Sequence, residues 1–442
     1  MSYAIDLTTP HNNDGHLALN SLLMEDVMIS QYFKSAARIM SLHNGPSGSL
    51  VEGFAQDMWE AGYAKITARR HICAAEHFIY WANRETIPSS GWNLQTLPRF
   101  EDHLRRCKCS RYGHYTRSDE LRGARLFVGY ASGTGIDVDH RSRPAPQDPI
   151  LLTEFYAWMR QQRGTADPTL YNYSIPLRDL LKRVGEDPHR LDAQCLRQFV
   201  LEQNRKCEWA TAKNCTTALR MFLRFLITEG KCSVGLDAAV PAVAHWRLSS
   251  LPRYLQAEEV ERVIASCDRK SAVGKRDRAI LLLLSRLALR AGDIWQLRLE
   301  DIDWKGASIS VSGKSRRETR LPLTQEIGEA LVDYLQHGRP PSNSKAVFVR
   351  SRAPFRAFAC HSAVSVIVER AMRRAEVACA SRGAAHVLRH SAASSMLRQG
   401  ASLQDIAAIL RHRSIETTQI YAKVDVVSLR SIAQPWPMVQ SC

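Results

Sequence analysis

The chain has 442 residues, with 60 Lys and Arg against 44 Asp and Glu, for a formal net charge of +16. Apolar residues make up 45% and charged residues 24%, ordinary globular values that exclude a disordered or fibrous protein and leave length for two or three domains. The longest apolar run, Ala279–Leu284, stops at Ser285 and Arg286, far short of the ~20 residues of a membrane span.

The eleven cysteines are odd in number and scattered, which reads as reduced thiols rather than a disulfide framework. The start, Met1 to Asp6, has no basic-then-apolar leader pattern. The expected place is the cytoplasm. The charge is uneven: residues 251–442 carry 30 Lys and Arg against 18 Asp and Glu, the first 250 carry 30 against 26. A basic half of this kind suits a phosphate backbone, because each cation placed on a phosphate releases a condensed counterion.

Residues 1–49 are polar apart from Leu17–Phe33, with turn formers at Asn12–Gly15 and Asn44–Gly48, and read as a partly ordered arm. From residue 50 to 130 the period turns helical. Phe54, Met58 and Tyr63 mark one helix, and Ile72, Ala75, Phe78 and Trp81 a second. A third runs from Leu94 to Leu104 around Pro98. Trp59, Trp81 and Trp92 are expected in the core. The same order of elements recurs about a hundred residues on. Residues 148–235 read as a bundle of four helices, the last from Ala210 to Leu226. Residues 236–254, with Pro241 and Pro252 and the cations Arg247 and Arg253, read as a linker.

Residues 255–442 mix the two periods. Helices are predicted over Glu258–Ser266, Arg278–Leu289, Thr324–Gln336, His361–Ala375, Val387–Gln399, Leu403–Leu410 and Ile415–Ala422. Among them Ala307–Val311 and Thr319–Leu323 alternate about the turn Ser312–Ser315, as a β-hairpin does. The expected fold is mainly α with a small β-hairpin or sheet. After Val424, residues Val426, Val427, Leu429 and Ile432 form a short amphipathic tail.

Six polar residues stand out of this apolar text. Arg290 follows the run ending at Leu289, and Lys314 sits at the hairpin tip. His386 and Arg389 are three apart, on one helix face by spacing. His412 follows another apolar helix, and Tyr421 lies nine residues beyond it. Two guanidiniums, an ammonium, two imidazoles and a phenol gathered at one point suit a phosphodiester. Arginines fork onto its oxygens and the phenol can attack phosphorus.

In order, spacing and context, Leu289–Ile294, Gly313–Ser315, His386–His390, Leu410–His412 and Thr417–Tyr421 resemble the motif boxes of the tyrosine recombinase (phage-integrase) superfamily. The text ending at Pro435–Pro437 resembles integrases of transposons and other mobile elements. The resemblance implies a helical core-binding (SAM-like) domain followed by a mixed α+β catalytic domain. It implies cleavage and rejoining of double-stranded DNA through a 3′-phosphotyrosyl bond to Tyr421, without metal, ATP or other cofactor. Arg290 and Arg389 would hold the phosphate, Lys314 would protonate the leaving 5′-oxygen, His386 would assist proton transfer from Tyr421, and His412 would bond a phosphate oxygen. It further implies a homo-oligomer, a tetramer on DNA, with accessory or partner recombinases, and a tail that docks on a neighbouring protomer.

Two departures from the family text lie where a glycine is usual: Leu287-Ala288-Leu289 before Arg290, and Arg411 before His412. Asp293 and His390 are expected to support the site by orienting its members. Arg247, Arg253, Arg316, Arg317, Arg411 and Arg413 are candidate DNA contacts. His386 and His390 have zinc-helix spacing, but Val387 stands where a metalloprotease needs glutamate. His103, Cys107, Cys109 and His114 have metal-ligand chemistry at an unusual spacing, and read either as a zinc site or as reduced thiols beside the basic residues Arg105, Arg106, Lys108 and Arg111. The alternatives to a recombinase are a DNA-binding regulator on an inactive recombinase fold and a type IB-like topoisomerase or resolving enzyme.

Overall fold

A computed structural model describes residues 27–109, 112, 115–133, 148–243, 251–312, 318–378, 383–412, 414–424 and 430. The chain divides into two compact units, residues 1–138 with 251–442, and residues 139–250. Lys314, Arg316, Arg317, Arg247, Arg413, Arg111, His114 and the tail positions Val426, Val427, Leu429 and Ile432 lie outside the described residues, as does residue 17 to 26 of the predicted apolar stretch.

The N-terminal part of the first unit holds α1 (Ala36–His43), α2 (Gly48–Glu60), α3 (Lys65–Arg84), α4 (Leu97–Arg106) and α5 (Arg117–Ala131). Fully buried Phe54, Phe78, Phe100 and Phe127 centre its core, with Phe54 edge-on to Phe127 at 5.4 Å and Phe78 edge-on to Phe100 at 5.3 Å. The expected arm boundary at residue 49 is corrected. Ile29, Tyr32, Phe33, Ile39 and Leu42 belong to this same core, and the Glu52 carboxylate accepts from the backbone N–H groups of Met28 and Ile29. The turn formers at 44–48 join two packed helices instead of ending an arm. Trp81 and Trp92 are buried as expected, whereas Trp59 is 44% exposed, edge-on to Tyr32.

Helix α5 was not anticipated, because Arg117, Arg122, Arg125 and Gly123 dilute its apolar period. Its start is nonetheless capped, with Thr116 Oγ1 accepting from the Asp119 N–H at 3.3 Å. Gly123 lets α5 press onto α3: a Cβ there would lie 2.5 Å from the Ala74 Cβ and 3.1 Å from the His71 Cα.

The second unit is the expected bundle: α6 (Ile150–Arg163), α7 (Asp167–Val184), α8 (Ala193–Lys206) and α9 (Trp209–Thr228). Phe155, Phe222 and Phe225 fill its centre. The expected linker start is corrected, since Val240 is buried in this bundle and its carbonyl accepts from Arg220 Nη2 at 2.9 Å.

The remainder of the first unit comprises α10 (Ala257–Ala265), α11 (Ala272–Arg286), α12 (Ala291–Gln296), α13 (Gln325–His337), α14 (Ser362–Arg374), α15 (Ala384–Arg398) and α16 (Leu403–Ile409). Strands β1 (Ile302–Asp303), β2 (Ser308–Ser312) and β3 (Glu318–Pro322) form an antiparallel sheet in that order, with Ile309 opposite Leu321 and Val311 opposite Thr319. The hairpin stands as predicted, and β1 is an added edge. Helix α11 is buried from Ala279 to Leu284 and serves as the spine of this core. The predicted helix Ile415–Ala422 is corrected to two 3-10 turns, Ile415–Thr417 and Gln419–Val424. The adjacent β-branched Thr417 and Thr418 disfavour an α-helix, and the Thr418 hydroxyl is taken up by His412. No described helix is long and apolar enough to cross a membrane.

Because the α3–α5 contact leaves no room at Gly123, Gly123→Val is expected to cost about 1–3 kcal/mol through overpacking. Thermal unfolding of the full chain should show a lowered midpoint, and an unchanged midpoint would deny that close contact.

Candidate active site

The backbone around residue 410 organises the site. Helix α16 ends in a Schellman turn, in which the Arg411 N–H reaches Ala408 O at 3.0 Å and the His412 N–H reaches Ala407 O at 2.9 Å. Such a turn needs a left-handed residue, and Arg411 supplies it with φ 52°. The carbonyls left at this helix end carry partial negative charge. Arg290 Nη2 donates to Leu410 O at 3.0 Å and to Arg411 O at 3.1 Å, and Arg389 Nη2 donates to the same Leu410 O. Arg389 Nη1 donates to Ala288 O. Ala288 is also left-handed, with φ 48°. The two places where the sequence lacks the family's glycine are thus two places where the backbone adopts glycine-like geometry.

Arg290 does not end the buried helix as expected. Helix α11 stops at Arg286, and Arg290 caps α12, its backbone N–H donating to Asp293 Oδ2 at 2.8 Å. That carboxylate also pairs with Arg411, whose side chain is 9% exposed. Arg411, expected as a DNA contact, is thus folded inward, beside Arg290 and Arg389. Its Nε and Nη1 have no hydrogen-bond partner among the described residues. Arg253 is exposed.

Three guanidiniums thus share a desolvated space with one carboxylate. Burial, and then Arg290 and Arg411 beside it, push the Arg389 pKa down to about 9. Burial and Arg411 lower that of Arg290 as well. An uncompensated cluster of this kind favours an anion.

His386 and Arg389 do not share an environment. Arg389 is 4% exposed, while His386 faces outward. The phenol instead meets His390, with Nδ1 2.8 Å from Tyr421 Oη. His386, expected to assist Tyr421, lies one turn back on α15, its ring centre 6.4 Å from that of His390. Helix α15 buries residues on nearly every side, from Ala384 to Ser394, so spacing alone could not tell which histidine turns inward. Tyr421 is 1% exposed and packs with Ala288, Ala392, Ala393, Ile406 and Leu410. Burial pushes its pKa up to about 12, against the pull of Arg389. His412 is half-buried, its Nδ1 2.8 Å from Thr418 Oγ1. The structure therefore gathers Arg290, Arg389, His412, Tyr421, Asp293, Arg411 and His390.

A profile of the phage integrase family matches residues 253–427. The protein y4rA of Sinorhizobium fredii, described as an integrase/recombinase, is 36% identical over 415 residues, covering 92% of this chain and 99% of that protein. The chain belongs to the phage integrase family of tyrosine recombinases. The tyrosine recombinase XerC of Thermodesulfovibrio yellowstonii is 28% identical over 288 residues, covering 63% of this chain and 93% of XerC. Among solved structures, the recombinase XerH bound to palindromic difH substrate, in a post-cleavage complex, superposes with a TM-score of 0.52 at 19% identity. That match covers 78% of this chain and 95% of XerH, a likeness of fold. As a tyrosine recombinase the chain is an enzyme of site-specific DNA recombination, and its mostly helical fold with a small sheet is that of the family.

The recombinase site also carries a pH signature. Burial first, then His386 and Arg389, lowers the His390 pKa from 6.5 to about 4. Burial, then Arg389 and Arg290, lowers that of His412 to about 4. Between 6.5 and 4 the unfolded chain binds protons that the folded chain refuses. The stability these neutral rings carry is complete above 6.5 and lost as pH falls toward 4. The unfolding temperature is therefore expected to drop between about pH 7 and about pH 5, and less so in a His390→Gln/His412→Gln double variant. Equal drops in the two proteins would show that the rings are not held neutral.

Proposed function

We propose that this recombinase cleaves DNA by direct attack of Tyr421 on a scissile phosphate. The phenol oxygen bonds to phosphorus, the bond from phosphorus to the 5′-oxygen breaks, and the DNA 3′-phosphate is left esterified to Tyr421. Rejoining runs the same steps in reverse with a new 5′-hydroxyl, so the phosphodiester energy is kept and no metal or ATP is consumed. The observation that carries this reading is the largely buried cationic cluster of Arg290, Arg389 and Arg411 beside a single carboxylate, which pairs with Arg411 alone, with donors on Arg411 left free among the described residues, close to a protonated phenol. A phosphodiester supplies the missing acceptors. Arg290 and Arg389 then bind its oxygens more tightly as charge grows in the trigonal-bipyramidal transition state.

The proton of Tyr421 passes to His390, which the lowered pKa keeps neutral and able to accept. His386 is assigned a supporting place beside His390, their ring centres 6.4 Å apart. His412 bonds a phosphate oxygen, and Lys314 protonates the departing 5′-oxygen. Arg253, with Arg247, Arg316, Arg317 and Arg413, serves the flanking backbone.

Exchange between two duplexes requires four strand cuts, and one tyrosine per cut gives four protomers on double-stranded DNA. The XerH complex with DNA supports the DNA partner. A place in a mobile element, accessory recombinases, a tail docking in trans and a bacterial cytoplasmic location complete the proposal.

Covalent trapping tests it. Nicked duplexes from DNA flanking the gene are mixed with protein in EDTA and run on a denaturing gel. An adduct that protease removes and Tyr421→Phe abolishes is expected. A salt-sensitive shift on a native gel without any adduct would favour a DNA-binding regulator. In single-turnover cleavage, Arg389→Ala should lose at least about 100-fold. His390→Gln should lose about 100-fold or more and His386→Gln clearly less. The reverse order for the two histidines would return the proton to His386.

A further inference from the structure

Away from the recombination site, α3, α4 and the segment after α4 bring four metal-ligand side chains together. His77 lies on α3, His103 near the end of α4, and Cys107 and Cys109 in the segment that follows. Their ligand atoms all lie within 4.8 Å of one another. The individual separations are more telling. His77 Nε2 is 3.3 Å from His103 Nε2 and 3.5 Å from Cys107 Sγ, and Cys109 Sγ is 3.8 Å from His103 Nε2.

We propose that His77, His103, Cys107 and Cys109 hold a structural Zn²⁺ ion. With metal–nitrogen bonds of about 2.0–2.1 Å and metal–sulfur bonds of about 2.3 Å, tetrahedral angles separate two nitrogens by about 3.3 Å and a nitrogen from a sulfur by about 3.6 Å. These three separations fit those figures within about 0.2 Å. Two thiolates and two imidazoles are a closed zinc set, soft enough to disfavour Mg²⁺ or Ca²⁺ and without an open position for catalysis.

The surroundings fit as well. His77 is fully buried, and its Nδ1 lies 3.2 Å from Glu120 Oε2, a buried carboxylate on α5. This bond holds the proton on Nδ1 and leaves Nε2 as the lone pair facing the cluster, the carboxylate–histidine arrangement common behind zinc. The Cys109 N–H points to Cys107 Sγ at 3.4 Å, a contact that stabilises a thiolate. His77 also stacks on Tyr112, with ring centres 4.7 Å apart and planes within 7°. The reading of the four groups as unrelated thiols and imidazoles gives no reason for Glu120 to be buried where it orients His77. The zinc ties α3 to the end of α4 and to the first residues of the connection leading to α5. The expected fourth ligand, His114, lies outside the described residues, and the structure offers His77 in its place.

The test uses the full chain, purified without chelator under reducing conditions. Metal analysis is expected to find about one Zn²⁺ per chain. Exchange with Co²⁺ should give the intense visible bands of tetrahedral cobalt and a thiolate-to-cobalt charge-transfer band. His77→Ala and Cys107→Ser should each lose the metal, whereas Cys195→Ser, in the second unit, should keep it. Should His77→Ala be insoluble, the charge-transfer band of Cys109→Ser, weakened to about half with one thiolate gone, reads the same ligand set. Wild-type protein with no zinc and only octahedral cobalt would overturn the proposal. Loss of zinc in His114→Ala with retention in His77→Ala would overturn the assignment of His77.

Discussion

A single backbone oxygen, that of Leu410, holds the candidate site together. It accepts from Arg290 and from Arg389 at once, and it lies where α16 gives up its hydrogen bonds. Two guanidiniums side by side repel, and burial adds the cost of desolvation. The partial negative charge of a helix C-terminus offsets some of both. The Arg411 carbonyl and the Ala288 carbonyl supply the rest of the acceptors. A Schellman turn is the local structure that exposes these carbonyls in one direction, and its requirement for a left-handed residue falls on Arg411.

That requirement links distant parts of the sequence. A left-handed non-glycine residue costs of order 1 kcal/mol, and here Arg411 recovers an ion pair with Asp293. Asp293 in turn accepts from the Arg290 backbone, so the turn after α16 and the start of α12 are fixed by one carboxylate. The buried helix α11 sets the position of the Ala288–Arg290 segment, and α15 brings Arg389 and His390 in together. Three chain segments, the first 101 residues before the second and the second 21 before the third, meet at charges that none of them could bury alone.

Much of this was legible. The order of Arg290, Arg389, His412 and Tyr421 in the sequence pointed to residues that the fold gathers, and the two missing glycines fall where the backbone is left-handed, at Ala288 and Arg411. The hairpin and the four-helix bundle were readable because their apolar periods are clean. What was not legible has physical causes. On α15 the small buried residues Ala384, Ala385, Ala392 and Ala393 leave no polar face, so His386 and His390 looked alike. Helix α5 is rich in arginine, and its buried Glu120 looks like a surface residue until His77 is found beside it. His77 itself is 26 residues from His103, and no sequence spacing reveals that distance closing to 3.3 Å.

The electrostatics of the cationic cluster also bear on how binding and chemistry are coupled. Arg389, pulled down to about 9 by burial and its neighbours, and Tyr421, pushed up to about 12 by burial, both sit unfavourably for reaction in the free protein. A phosphate brings negative charge to the arginines and restores their preference for the charged form. The phenol does not gain directly, because a nearby anion disfavours a phenolate. Under the proposed attack its proton leaves as the oxygen bonds to phosphorus, and a neutral imidazole 2.8 Å away is placed to receive it. The same burial that keeps Tyr421 protonated keeps His390 neutral, so one apolar environment sets the donor and the acceptor of that proton together.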